Sequence, residues 1–257
     1  MKLQEDNSKH VEWANKWQMS FNVDKCSVMH IGHNNMQSNY NMSNQQLPTT
    51  DQQRDLGIII TKDLKWQKQT EKIFKTVNRV LWFIALNFRY KNKELILRLY
   101  KSLVPTNLEY AVQFWSPQSR RHIEKIEKIQ RRATKMIPEI WNHSYHQRIQ
   151  DFDLIILVQR ILRGQLIEVF KYLNPSTTAS ARGLFDYELD DRTRNKGAKL
   201  VKHFKTSVAQ LFYPIKITTN WNATPSAVVS NRTVNSFKNS LDKHYAETPP
   251  NVRDNWQ

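Results

Sequence analysis

The chain has 257 residues, with 39 Lys+Arg against 23 Asp+Glu, for a formal charge of +16 at pH 7. Such an excess attracts polyanions, so nucleic acid leads the classes of partner, ahead of acidic membrane surfaces. Hydrophobic residues at 39% and eight Trp exclude a disordered basic tail. One cysteine, Cys26, excludes a disulfide framework and a thiolate metal cluster, and points to an intracellular, reducing compartment, nucleus or cytoplasm. No signal peptide is legible at the N-terminus, and the longest apolar run, Val80 to Leu86, is too short for a bilayer. Five glycines in all exclude a Gly-rich phosphate loop.

In chain order, Val11, Ala14 and Trp17 recur at helical spacing and predict a helix over Lys9 to Met19. The run Lys25 to Ile31 alternates like a strand, and the Asn/Gln/Ser-rich segment Asn34 to Gln46 reads as a loop or hairpin connection. Leu56-Gly57-Ile58-Ile59-Ile60 is short and β-branched, which favours a strand. From Trp66 to Phe88, Ile73, Val77, Val80, Ile84 and Phe88 mark the buried face of a helix. Lys65, Lys68, Lys72, Lys75 and Arg79 keep the same beat on roughly the opposite side. Asn92 is the expected N-cap of a helix over Lys93–Val104, with Leu95, Leu99 and Leu103 as its stripe and Pro105 as its stop. A helix over Arg120–Ile137 has Ile123, Ile126, Ile129, Ala133 and Met136 on one face. It carries a distinct basic stripe of Arg121, Lys125, Lys128, Arg132 and Lys135. Another helix is expected from Leu154 to Tyr172, capped by Asp151 or Asp153. Beyond residue 173 the periodicity weakens, with apolar patches at Val208–Tyr213 and Thr233–Leu241 and a loose tail at Pro249-Pro250.

Metal-dependent chemistry has little to stand on in these residues. The adjacent acidic pair Asp190-Asp191 sits in polar surroundings and reads as a solvated loop. His30/His33 and His143/His146 have H-x-x-H spacing but no further ligands nearby, and no metal site is assigned. Cys26 has no neighbouring base and reads as a small apolar residue. The two basic stripes are the main physical signal. They suit phosphate backbone contacts without sequence-specific readout. Trp82, Trp115 and Trp141 are candidate stacking residues, although buried tryptophans are commoner.

Particular residues also look familiar. Leu99 to Pro105, Leu108-Glu109-Tyr110, Trp115-Ser116-Pro117 and Ile126 to Lys135 resemble the region downstream of the polymerase core in reverse transcriptases of non-LTR (LINE-type, jockey-like) retrotransposons. The likeness begins at Trp13, Trp17, Met19, Phe21, Asn22 and Lys25-Cys26. It continues through Asp55-Leu56-Gly57 to Trp221-Asn222 and Ser236-Phe237-Lys238. Two departures stand out: Val104 precedes Pro105 where relatives usually have Arg, and Ala223-Thr224 follows Trp221-Asn222 where Leu-Pro is common.

The resemblance implies an RNA-directed DNA polymerase whose catalytic aspartates precede the point where this sequence starts, so the chain alone is expected to be inactive. It implies that Lys25 matches a lysine near the incoming triphosphate, a proton donor to the leaving pyrophosphate. It also implies that Asp55, Leu56 and Gly57 match a primer grip, and that the helices from Trp66 onward are thumb-like and hold template–primer duplex. Mg2+ belongs to the full-length family enzyme, with no cofactor expected in this chain. The expected fold is α+β and mostly helical: the end of a palm over residues 1–61, a thumb-like bundle over 62–173, and a loosely packed extension over 174–257. The other functional readings are a non-catalytic, basic nucleic-acid-binding protein, and a helical protein-interaction module or decayed transposon product without function.

Overall fold

A computed structural model describes residues 2–32, 35–116, 120–174, 184–187, 199–201 and 212–247. The described chain is mostly helical with a few short strands, the α+β class the patterning predicts. It divides into two compact units, Met1–Gln69 and Thr70–Gln257.

The first unit opens with helix α1 (Lys2–Lys16), which ends as Gln18 turns to a φ of 55°. The helix begins seven residues before the expected Lys9 and ends three before Met19, so that Trp17 lies exposed beyond it while Ala14 is buried. Gln4 ties α1 to strand β1 (Asn41–Met42): its Nε2 donates to the Asn41 carbonyl at 3.0 Å and its Oε1 accepts from the Asn41 N–H at 2.9 Å. Strand β1 pairs antiparallel with β2 (Gln45–Gln46) across Ser43-Asn44, so the polar segment does contain a hairpin. The strand expected over Lys25 to Ile31 does not form. Val23–Lys25 is a 3-10 turn, and one isolated parallel bridge, Val28 to Thr49, is all the pairing that follows. Val28 bonds the Pro48 carbonyl and the Thr50 N–H, but among the described residues this contact does not extend into the ladder that an alternating run needs to become a strand. Strands β3 (Gln52–Asp55) and β4 (Ile58–Thr61) form an antiparallel hairpin in the register Asp55 to Ile58. Its two-residue turn, Leu56-Gly57, has positive φ at both positions, 44° and 83°, as a type I′ turn requires.

Helix α2 (Gln67–Asn87) starts in the first unit and continues into the second. There Val77 and Ile84 are fully buried, as their spacing predicts. Helix α3 (Lys93–Glu109) begins at Asn92, whose side chain accepts the Leu95 N–H at 2.9 Å. Pro105 does not stop it. An interior proline costs about 3 kcal/mol through a lost hydrogen bond and a ring clash. Here the buried face Ile96, Tyr100, Val104, Pro105 and Leu108 holds the helix together through that point. That face is displaced by one residue from the Leu95, Leu99, Leu103 stripe, and Leu103 is left exposed. The short helix α4 (Val112–Trp115) follows, with Trp115 fully buried and its indole N–H bonded to the Tyr110 carbonyl at 2.9 Å.

Helix α5 (Arg120–Lys135) buries Ile126, Ile129 and Ala133, in agreement with its periodicity. After α6 (Tyr145–Asp151), helix α7 (Leu157–Leu173) is capped from a distance rather than by Asp151 or Asp153. Asp153 takes a positive φ of 47°, and the N-cap residue Ile156 has no side-chain bond to give. Gln130 Oε1 accepts the Leu157 N–H at 3.1 Å and Glu127 Oε1 accepts the Val158 N–H at 3.2 Å, both from α5. Two polar residues of α5 therefore satisfy amide groups that a local cap normally would.

Beyond α7 come the paired short strands β5 (Asp186–Tyr187) and β6 (Leu200–Val201), then α8 (Tyr213–Ala223), α9 (Ser226–Val229) and α10 (Val234–Glu247). The described part of this extension is packed more tightly than its weak periodicity suggests. Phe237 and Leu241 are fully buried and Trp221 nearly so, against Leu162, Leu166 and Phe170 of α7. The Phe170 and Phe237 rings stack at 4.3 Å between centroids. Asp242 receives a two-pronged ion pair from Arg163, and the Asn222 amide bonds both backbone groups of Leu200 at 2.9 Å. The apolar patch Thr233–Leu241 supplies Phe237 and Leu241 to this cluster, whereas Ile217 and Trp221 of α8 and Val228 and Val229 of α9 lie outside the patches the sequence singles out. Of the apolar patch Val208–Tyr213, residues 208–211 lie outside the described residues, as do Asp190-Asp191, His33 and Pro249-Pro250.

Candidate nucleic-acid interface

Within the second unit, α2 and α5 lie side by side and leave a groove of about 1280 Å³. Phe74 and Ile129 are buried at its base. Lys75 and Arg79 line it from α2, and Lys125, Lys128, Arg131, Arg132 and Lys135 from α5. The segment Trp141 to Tyr145 and Arg148 of α6 close the far wall. Glu71 is the one carboxylate among the lining residues, so the groove is strongly positive.

The groove cations are engaged to different degrees. Lys125 Nζ sits 5.7 Å from the centroid of the Phe74 ring, and Arg132 donates to Asn78 Oδ1 at 2.6 Å, which joins α5 to α2. Arg131 lies 4.7 Å over the Tyr145 ring. Lys75, Arg79, Lys128 and Lys135 are exposed and have no hydrogen bond, ion pair or ring contact among the described residues. Arg148 is the outlier, only 3% exposed. Its guanidinium bonds Thr134 Oγ1 at 3.1 Å and the His143 carbonyl, with no carboxylate partner among the described residues. A buried guanidinium without a counter-charge adds to the field of the groove.

Tyr145 is held in the wall by Glu127 and Gln130. Its hydroxyl donates to Glu127 Oε2 at 2.6 Å and lies 3.1 Å from Gln130 Oε1. Burial raises the Glu127 carboxyl above its ordinary range, opposed by the Tyr145 and Val158 hydrogen bonds. Burial, with the Lys125 and Arg121 charges, lowers His122.

Of the sequence-derived binding residues, the structure gathers Lys75, Arg79, Lys125, Lys128, Arg132 and Lys135 around one groove. Lys72 is half-buried and Arg121 exposed, and neither lines it. Lys65 and Lys68 belong to the first unit, where Lys68 Nζ donates to Gln52 Oε1 at 2.7 Å. Also in that unit, Lys25 is exposed at the end of its 3-10 turn, and Asp55, Leu56 and Gly57 form the tip of the β3–β4 hairpin. Sequence reasoning missed Arg131 and Arg148. Arg131 sits next to the stripe on α5, but nothing in the seven-residue α6 distinguishes Arg148 from an ordinary surface arginine. Trp115 is buried, whereas Trp82 and Trp141 are 64% and 61% exposed.

Among the described residues no group of three or more His, Cys, Asp or Glu is placed to hold a metal ion. They therefore offer no carboxylate set that fits the Mg2+ of a polymerase. No helix among them is long and apolar enough to cross a membrane.

No protein-family profile matches the chain, and no solved structure does. One curated protein, the RNA-directed DNA polymerase from mobile element jockey of Drosophila funebris, is 26% identical over 166 residues. The match covers 62% of this chain, and the chain spans 18% of that protein's length. A region of the chain is thus related in sequence to a jockey-type RNA-directed DNA polymerase, in line with the resemblance its motifs carry.

Proposed function

We propose that the chain is a non-catalytic part of a non-LTR retrotransposon reverse transcriptase that grips template–primer nucleic acid by its phosphate backbone. The observation that carries this reading is the groove between α2 and α5, where exposed cations from two helices converge around a single carboxylate. The apolar stripes of both helices are buried, with Phe74 and Ile129 at the base of the groove, while Lys75, Arg79, Lys128 and Lys135 stay exposed along it. Phosphates placed along the groove would release the counterions that such a surface gathers. The similarity to the jockey polymerase supports nucleic acid over other polyanions.

On the same reading, residues 1–61 are the end of a palm, residues 62–173 are thumb-like, and the remainder is a C-terminal extension. The Leu56-Gly57 tip approaches the primer end as a primer grip, Lys25 stands near an incoming triphosphate, and the metal-binding aspartates are supplied outside this chain. The test is binding of an RNA–DNA hybrid duplex by the whole chain across a salt series. The expected slope of log K against log salt is steeper than about −3, from contacts worth roughly −0.9 each as in B-DNA. A salt-independent affinity, or no binding at low salt, would overturn the reading.

A further inference from the structure

Trp141 presents a large apolar ring, 61% exposed, at the wall of a strongly cationic groove. Scattered surface tryptophans need no explanation. This one differs in where it stands and in how its backbone is held. The 3-10 turn Pro138–Ile140 precedes it, with proline in the first turn. Ile137 is buried with Ile84, Ile96 and Phe152, and Ile140 packs against the same cluster. The His143 N–H returns to the Ile140 carbonyl at 3.0 Å, and His143 Nδ1 lies 2.9 Å from Asp151 Oδ2. The indole is therefore carried on a short, anchored segment, and no ring contact or hydrogen bond engages it among the described residues. Lys135 and Arg131 line the groove with it.

A flat π face fixed beside backbone-binding cations is the combination that single strands use: cations follow the phosphates while an aromatic side chain takes a base. A fully paired duplex keeps its bases stacked inside and offers this ring nothing. We propose that Trp141 is a base-stacking platform and that this end of the groove takes a single-stranded segment of nucleic acid. The inference rests on the proposed backbone grip and adds the class of ligand to it.

The test compares binding of the whole chain to an oligothymidylate of about a dozen nucleotides, within the usual site sizes for such grooves. The second ligand is an abasic oligonucleotide of equal length and charge, and the third a blunt duplex. The parent chain should prefer oligothymidylate over the abasic strand by roughly tenfold, in the range expected of one stacked base. Trp141→Ala should lose that preference while binding the abasic strand and the duplex unchanged, and Trp141→Phe should keep most of it. Equal binding of abasic and base-bearing strands by the parent would overturn the stacking role, as would an equal loss on all three ligands in Trp141→Ala. Salt-dependent binding without base preference would sink this inference alone, whereas no salt-dependent binding of any ligand would sink the backbone grip with it.

Discussion

Replacing Lys75, Arg79, Lys128 and Lys135 together with Gln probes the groove at its uncommitted charges. These four are exposed and unengaged among the described residues, so their removal breaks no contact that holds α2 to α5. Gln has a helix propensity close to those of Lys and Arg, so each exposed exchange should move stability by no more than about 0.5 kcal/mol. If each cation neutralises one phosphate, the slope of log K against log salt flattens by roughly 3.6, from about 0.9 per contact on B-DNA. Between about 50 and 200 mM salt the parent should therefore lose roughly a hundredfold more affinity than the variant. Fluorescence anisotropy with a labelled duplex over a salt series reads this directly. Lys125 and Arg132 make the contrasting pair, because one lies over Phe74 and the other bonds Asn78. Their loss should lower stability as well as affinity. A quadruple variant with the parent's slope would show that the groove is an ordinary solvated surface.

Three further outcomes follow from other parts of the chain. Leu56, 80% exposed with a φ of 44°, occupies a turn position that suits Asn, so Leu56→Asn should stabilise the hairpin by about 1 kcal/mol. Hydrogen exchange at residues 52–61 should slow about fivefold, and faster exchange would contradict the turn assignment. The buried Tyr100 hydroxyl has no hydrogen-bond partner among the described residues, so Tyr100→Phe should be neutral or stabilising by up to about 1 kcal/mol in urea unfolding. A clear loss of stability would mean that the hydroxyl is paired in solution. Burial holds the Lys216 amine down at about 7 from its ordinary 10.5. Below pH 7 the amine is charged in both folded and unfolded chains, and the cost of burying it is fully present. Between about 7 and 10.5 the unfolded chain binds more protons, so this group makes stability rise with pH across that window. Lys216→Met should be more stable at neutral pH and should lack the rise, and an unchanged pH profile would contradict the burial.

Helical period made α2 and α5 legible, because Ile73, Val77, Ile84 and Ile126, Ile129, Ala133 are set by burial against neighbouring helices. The cations facing away from those stripes were legible for the same reason. What a single helix cannot reveal is which of its charges meets a partner: that α5 lies beside α2, and that Arg148 and Trp141 close the wall, depends on tertiary placement. Pro105 reads as a stop locally, yet a buried face continues through it. Glu127 and Gln130 read as polar members of a familiar motif, and in the structure they cap α7. Trp115, Trp221 and Phe237, also among the familiar residues, are core residues. Much of the resemblance is thus carried by residues that hold the fold, while the groove is built largely from the two basic stripes that the helical period singles out.

The central claim is that nucleic acid lies along the groove between α2 and α5, and lysine footprinting tests it most directly. The chain is acetylated with and without a saturating hybrid duplex, and each lysine is quantified by mass spectrometry. Lys75, Lys128 and Lys135 should be protected by bound nucleic acid, while Lys9 on α1 and Lys101 on α3, both exposed, react as before. Protection of Lys9 or Lys101 with the groove lysines still reactive would place the nucleic acid elsewhere and contradict the account.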